Sequence, residues 1–315
     1  SVEFSDRLTD DLCRRDFTIN AMAYNERTGL VDEYGGIDDI NNKVIRCVGR
    51  PEERFTEDAL RMMRAIRFSA QLGFTIEDNT YKAIEKLSAN IQKVSMERVC
   101  VELKKTLMSD NPDFCRLYGT TNLFKDILPQ LHDSFTKRQS KRILLTCKYS
   151  EKELPLRLTA CLSNGTPAQA EDTLRHLRMD NKTIETVVKI LTFSKDNIEE
   201  TEPAIREALH KCGRDIFELV IKYDFALVKA SEEVTFISNP ARYNHLVTLK
   251  RMADEILSRG DCFTIKDLDI TGLDLIEYGL KGTQIGSTLN YLLDIVIENP
   301  KLNDKATLIG LLDMK

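Results

Sequence analysis

Apolar and polar positions change their rhythm once along this chain. Over residues 16–48 they alternate, as Phe17-Thr18-Ile19, Met22-Ala23-Tyr24, Leu30-Val31 and Val44-Ile45-Arg46-Cys47-Val48, with Gly29, Gly35-Gly36 and Gly49 between them. A period of two with glycine punctuation predicts short strands joined by turns. After Pro51 the period lengthens: Leu60, Met63, Ile66 and Ala70 recur at helical spacing, and Gly73 stands where that segment should end. Thr56 is the expected N-cap, with Glu57 and Asp58 in the first turn, where the helix dipole favours carboxylates. Helical patterning continues over residues 78–90, 95–108, 111–119, 137–148, 154–163, 167–178, 181–193, 202–210, 214–230, 241–258, 271–279 and 284–297. The expectation is a mainly α chain, a short α/β fragment followed by a long all-α part. A strand region without preceding partner strands reads as the tail end of a sheet.

The 315 residues carry 45 Lys and Arg against 50 Asp and Glu, a formal net charge of −5, and 42% are hydrophobic. That composition is ample for a core and excludes a disordered or low-complexity chain. No apolar run reaches the roughly 18 residues a spanning helix needs, and the opening Ser1-Val2-Glu3-Phe4-Ser5-Asp6 does not read as a secretory signal. The eight cysteines form no CxxC pair and sit mostly among apolar neighbours, so the expectation is reduced thiols in a cytoplasmic protein, with neither a zinc site nor a disulfide frame. The charge is uneven, however. Six arginines fall between Arg46 and Arg67, and the acid-free stretch between Asp133 and Glu151 holds Lys137, Arg138, Lys141, Arg142 and Lys148. Such a run can face a polyanion, and it can equally be a solvated helix face.

Two strings carry candidate chemistry. Arg14-Arg15-Asp16-Phe17-Thr18-Ile19-Asn20-Ala21 sets two guanidiniums beside a carboxylate. Arginines fork onto phosphate oxygens and Asp accepts from ribose hydroxyls; taken alone, an ion pair at a strand start is the simpler reading. In Glu57-Asp58-Ala59-Leu60-Arg61, a helix would put Asp58 and Arg61 on one face. A carboxylate accepts from an exocyclic amine while a guanidinium donates to the adjacent ring nitrogen. Cytosine and adenine offer that polarity, whereas uracil and guanine offer the reverse. Alone, this pair also fits an ordinary intrahelical salt bridge.

Taken in order, the strings resemble one family. RRDFTINA at 14–21 resembles the ribose-binding motif of class II tRNA nucleotidyltransferases, the bacterial-type CCA-adding enzymes and poly(A) polymerases. Residues 29–36 followed by Asp38-Asp39 resemble the hinge motif, EDALR at 57–61 the amino-acid template, and residues 97–103 the neck motif that buttresses it. Residues 270–275 with Gly282 and Ile285-Gly286 resemble the tail segment that binds the tRNA elbow. The resemblance implies the C-terminal part of a nucleotidyltransferase head over 1–50, a nucleobase-reading helical neck over 51–110, a helical body over 111–230 and a tRNA-binding tail over 231–315. The implied activity is template-independent addition of C, C and A to tRNA 3′ ends from CTP and ATP, with tRNA gripped at acceptor stem and elbow and no membrane involved.

Under that resemblance Asp58 and Arg61 read the base edge, Asp16 and Asn20 meet the ribose, and Arg15 meets phosphate or orients Asp16. Arg64 and Arg67 either support the pocket or touch phosphate, and structural pairing fits both equally well. Glu57, Glu97 and Arg98 are structural, Gly35 and Gly36 are the hinge, and Lys137, Arg138, Lys141 and Arg142 are weaker candidates for RNA. The family's two catalytic carboxylates, which hold Mg²⁺ in the full-length enzyme, should lie upstream of Arg14, and nothing there supplies them. Asp6, Asp10 and Asp11 read as a solvated face. The chain as given is therefore expected to hold no catalytic residue or metal ligand and to be inactive alone. Ser163-Asn164 stands where some relatives carry a His-Asp metal pair, and His132, His176, His210 and His245 are scattered, so no phosphohydrolase site is expected. The competing reading is a non-catalytic tRNA-binding module. Poly(A) polymerases and CC-adding or A-adding relatives share the same motifs.

Overall fold

A computed structural model describes residues 8–27, 29–194 and 197–313; Asp6 lies outside them. The chain divides into two compact units: residues up to Leu191 together with Lys229–Phe236, and Thr192–Val228 together with Ile237 onward. No helix among the described residues is long and apolar enough to cross a membrane.

The first unit opens with α1 (Leu8–Cys13), whose Leu12 is buried. β1 (Ala23–Asn25) pairs antiparallel with β2 (Gly29–Val31), Ala23 opposite Val31. β3 (Val44–Ile45) pairs parallel with β4 (Thr75–Ile76), and Phe17 bridges Cys47. The alternating pattern thus marks strands, with two exceptions. Thr18–Asn20 is a single 3-10 turn, and the end of the 29–39 string, after β2, becomes α2 (Gly36–Asn41). Asp32 starts α2, its carboxylate accepting from the backbone N–H of Gly36 at 2.7 Å and of Ile37 at 2.9 Å. Burial tends to raise the Asp32 carboxyl, but the backbone N–H groups outweigh it and hold the group below the usual carboxylate range. Gly35 supplies φ +73° before α2, and a Cβ on Gly36 would collide with the Thr18 carbonyl oxygen. Asp39 on α2 is buried, accepts from Thr18 Oγ1 at 2.7 Å and pairs with Arg46 at 3.1 Å.

The expected single helix from Thr56 is two. α3 (Pro51–Glu57) begins with Pro51 at its first position, where a missing N–H costs nothing. Thr56 lies inside it, its hydroxyl donating to the Glu52 carbonyl at 2.7 Å, so it is no N-cap. Asp58 then leaves the helix (φ −144°, ψ 103°) and its Oδ1 accepts the Leu60 N–H at 3.1 Å. α4 (Leu60–Leu72) follows and ends on left-handed Gly73, as expected. α5 (Asp78–Leu87) packs on α3, and α6 (Met96–Leu107) packs along α4. Met62, Met63, Ile66 and Ala70 of α4 are fully buried, the larger ones contributing about 1.5–3 kcal/mol each.

The unit continues through α7 (Arg116–Thr120), α8 (Pro129–Thr136), α9 (Ser140–Tyr149), α10 (Leu154–Leu162), α11 (Pro167–His176) and α12 (Asn181–Phe193). Tyr118 anchors this core, stacked on Phe124 with centroids 4.6 Å apart and sharing a 2.6 Å hydrogen bond with Thr106. All eight cysteines are free, and all but Cys13 are buried. Three of them, Cys115, Cys147 and Cys161, meet in one cluster that no spacing in the sequence indicates.

The second unit draws on α13 (Glu202–Cys212), the first part of α14 (Arg214–Thr235), α15 (Pro240–Arg259), α16 (Gly272–Glu277), α17 (Thr283–Glu298) and α18 (Lys305–Asp313). One core gathers Ile205, Leu209, Phe217, Ile221, Leu246, Leu249 and Ile256; another gathers Leu275, Leu292, Leu293, Val296, Ile297 and Leu308. Arg206 is buried between them. It donates to the Ile297 carbonyl at 2.6 Å and the Glu298 carbonyl at 3.3 Å, and pairs with Glu202 and Asp261 at 3.1 Å each.

Candidate nucleotide site

Three arginines of α3 and α4 reach residues 13–16. From α3, Arg54 NH1 donates to the Cys13 carbonyl at 3.2 Å. From the first turn of α4, Arg61 NH2 donates to the Arg14 carbonyl at 2.9 Å. One turn on, Arg64 holds the buried Asp16 carboxylate with Nε and NH2 both 2.6 Å from Oδ2. Arg54 and Arg61 share Glu57, at 2.6 and 2.8 Å, and Arg61 also donates to the Arg54 carbonyl at 3.2 Å. Glu57 is therefore the one acid that both guanidiniums share. Arg64 has Asp16 to itself while Arg54 and Arg61 share one carboxylate, and charge-assisted bonds hold residues 13–16 to α3 and α4.

Asp16 and Asn20 lie side by side. Asn20 Nδ2 donates to Asp16 Oδ1 at 3.2 Å, and the Phe17 N–H donates to the same oxygen at 3.0 Å. With Arg64 on Oδ2, donors occupy all four acceptor positions of this carboxylate. Arg15 turns away from Asp16: its guanidinium pairs with exposed Asp11 at 2.8 Å and reaches the Asn20 carbonyl at 3.4 Å. Asp11 lies on the exposed face of α1, while Asp10 is half-buried and engaged.

Asp58 and Arg61 do not pair with each other. The Arg61 backbone N–H donates to the Asp58 carbonyl at 3.0 Å, but the side chains have separate partners. Asp58 Oδ2 accepts from Arg98 NH2 at 2.9 Å, across from α6, while Arg61 is held by Glu57. The intrahelical salt bridge expected from their spacing is absent because residue 58 sits in the break between α3 and α4. Neither side chain is sealed in: that of Asp58 is 35% exposed and that of Arg61 18%. Arg98 is thus a direct neighbour of the template acid rather than only a brace. Glu97 is exposed, 3.8 Å from Arg178, its carboxyl held below the usual range by its own backbone N–H and the Ser95 hydroxyl. Arg67 is corrected to a core residue: it is buried, its Nε 3.2 Å from buried Glu102 of α6, with its guanidinium 4.1 Å from the Phe68 ring centroid, so phosphate cannot reach it. Arg54 was missed; its position seven residues before Arg61 was the available signal.

Gly35 and Gly36 stand apart from these contacts, at the start of α2. The basic run lies elsewhere on the first unit. Lys137 caps α8 and pairs with Asp133 at 2.6 Å, and Lys141 lies 5.7 Å from the Phe236 ring centroid. Arg138, Lys141 and Arg142 are exposed, without an ion-pair partner among the described residues.

Comparison with known proteins gives the family. Residues 1–46 match the "Poly A polymerase head domain" family, residues 73–135 the family of the RNA- and SrmB-binding site of polymerase A, and residues 147–312 the family of tRNA nucleotidyltransferase domain 2. The chain is 32% identical to the CCA-adding enzyme of Pediococcus pentosaceus, over 98% of this chain and 73% of that one. It is 31% identical to that of Ligilactobacillus salivarius, over 98% and 72% respectively. Over a 107-residue stretch it is 54% identical to the CCA-adding enzyme of Leuconostoc mesenteroides, covering 34% of this chain and 27% of that one. Among solved structures it superposes on the Bacillus stearothermophilus CCA-adding enzyme in complex with CTP, with TM-score 0.74 and 25% identity, covering 99% of this chain and 76% of that one. The Thermotoga maritima CCA-adding enzyme complexed with tRNA shares the fold, with TM-score 0.57 and 20% identity, covering 98% and 74%. The chain belongs to the bacterial-type CCA-adding enzyme and poly(A) polymerase family of nucleotidyltransferases.

Proposed function

We propose that this chain selects and positions CTP and ATP for addition to the 3′ end of tRNA in the cytoplasm. The observation that supports the reading is the set of arginine bonds from α3 and α4 to residues 13–16, two segments we assign to the base and to the sugar. Asp58 and Arg61 emerge from its edge with exposed polar atoms. An incoming cytosine or adenine donates its amine to Asp58 in place of Arg98, and accepts at its ring nitrogen from Arg61, partly released from Glu57. Uracil and guanine would set carbonyl against carboxylate and N–H against guanidinium, leaving charges unpaired at about 1–3 kcal/mol or more. Asn20, oriented by Asp16, keeps a second N–H and its carbonyl for the ribose.

The family resemblance also implies Mg²⁺, which would activate the attacking hydroxyl and steady the pyrophosphate. The described carboxylates beside the site do not fit it: Asp16 has its oxygens filled and Asp11 is turned to Arg15. The tRNA is met by the exposed Arg138, Lys141 and Arg142, since an A-form stem offers backbone charge and shape rather than sequence.

Nucleotide binding tests the selection. Asp58→Ala and Arg61→Ala, each in the protein that contains this chain, should lower the preference for CTP and ATP over UTP and GTP by about 10-fold or more, measured by calorimetric titration and by incorporation into tRNA. If the preference survives both changes, the assignment is wrong. Retained tRNA binding with no nucleotide binding by the unaltered protein would favour the non-catalytic module instead.

A further inference from the structure

Cys115 closes the 3-10 turn Pro112–Cys115, Cys147 lies on α9 and Cys161 on α10. All three are fully buried in the first unit. Their sulfurs lie within 4.8 Å of one another, and those of Cys147 and Cys161 are 3.9 Å apart. A disulfide would require about 2.0 Å. Three sulfurs at about 2.3 Å from one ion stand roughly 3.8 Å apart around a tetrahedral centre and roughly 4.0 Å apart around a planar one. The Cys147–Cys161 separation matches that spacing and the other two pairs lie within 4.8 Å, while the three members sit in three separate elements far apart in sequence. No histidine or carboxylate joins the group among the described residues.

Charge supplies an independent observation. Arg157 stands one helical turn before Cys161 on α10, is 5% exposed and lies within electrostatic reach of Cys147 and Cys161. Its NH1 donates to the carbonyls of Leu107 and Ser109, but its Nε is buried without a hydrogen bond, and no ion pair to it forms among the described residues. Asp110 acts on Arg157 electrostatically, but it is exposed and paired with Lys152 at 2.8 Å, so no buried acid among the described residues neutralises the guanidinium, and neutral thiols leave its buried charge poorly compensated. Three thiolates around a divalent ion carry one net negative charge, which Arg157 cancels. A monovalent ion would leave the assembly negative. Soft sulfur donors with a divalent requirement select zinc.

We propose that Cys115, Cys147 and Cys161 form a three-thiolate zinc site, with Arg157 as its buried counter-charge. Loading forms three Zn–S bonds and passes three thiol protons to the solvent. The 3-10 turn that carries Cys115 also packs on α4 and α6, so the ion would tie the helices of the candidate nucleotide site to the α9–α10 pair.

The test uses the whole chain, reduced, incubated with zinc and desalted. Elemental analysis should find about one zinc per chain, and zinc-edge X-ray absorption should show a shell containing three sulfurs. Stripping with a strong chelator should lower Tm. Cys147→Ser should lose the bound zinc, whereas Cys262→Ser, which removes a buried thiol of the second unit, should keep it. Absence of bound zinc, a shell without three sulfurs, equal retention by Cys147→Ser, or equal loss by Cys262→Ser would each overturn the site. Should Cys147→Ser fail to fold, the absorption spectrum of the unaltered chain decides alone.

Discussion

Asp16 shows how a residue can be readable in kind and unreadable in geometry. Its place in the ribose motif came from likeness, but its four donors include Arg64, which is 48 positions away, and no spacing rule links them. The Asp58–Arg61 spacing, by contrast, predicted a helical pair, and the structure gives each side chain a different partner because the helix breaks between them. Arg67 looked like Arg64 on paper; the face of α4 it occupies decided its burial against Glu102. One side chain outside the site has a measurable consequence. Burial pushes the Asp224 carboxyl up to about 6, outweighing the Arg242 guanidinium 3.0 Å away. A carboxyl raised in the folded state weakens that state above the raised value and relieves it as the group protonates. Wild-type stability relative to Asp224→Asn should therefore be lowest above pH 6 and should rise as pH falls through 6 toward 3.8, by up to about 3 kcal/mol at roughly 1.4 kcal/mol per unit. Urea titrations across that window check it, and a difference that stays flat rules the shift out.

At the scale of elements, long apolar periodicity was sound guidance. The helices at 154–162, 181–193 and 240–259 fall close to the pattern, each with a full turn or more of core residues. Short elements were missed where a local hydrogen bond, not a periodic face, creates them. α2 depends on the Asp32 carboxylate, and the α3–α4 break depends on Asp58 capping Leu60. α8 begins on Pro129, a readable first-position signal, but buries too few residues to show a period. The join between α13 and α17 carries a prediction. Arg206 supplies donors to the last carbonyls of α17 and meets Asp261 in a buried pair. Arg206→Met removes the donors to the two carbonyls, while Asp261 keeps Arg259 at 2.8 Å, so the second unit should lose about 1–3 kcal/mol from the carbonyls left unpaired. Denaturant unfolding followed by circular dichroism measures this; a loss below about 1 kcal/mol would mean that packing, not these bonds, holds α17.

For the molecule as a whole, composition said little about its partner. A chain of net charge −5 belongs to a family of enzymes that handle tRNA, and only the local acid-free run hinted at where RNA could be met. The order of four motifs carried the family, and the helical bulk followed from periodicity. The cysteine cluster was beyond reach, since it depends on how three distant segments meet. On the exposed run, replacing Arg138, Lys141 and Arg142 together with alanine should weaken tRNA binding and reduce the slope of log affinity against log salt by about one for each phosphate the chain no longer neutralises. Unchanged affinity and slope would mark the run as solvated surface. A last consequence follows from the bonds of Arg54, Arg61 and Arg64 to residues 13–16. Because the same side chains brace both halves of the pocket, discrimination between ribose and deoxyribose should not be independent of whether cytosine or adenine is offered: the two preferences should show a non-additive interaction energy, and weakening the brace should make them additive.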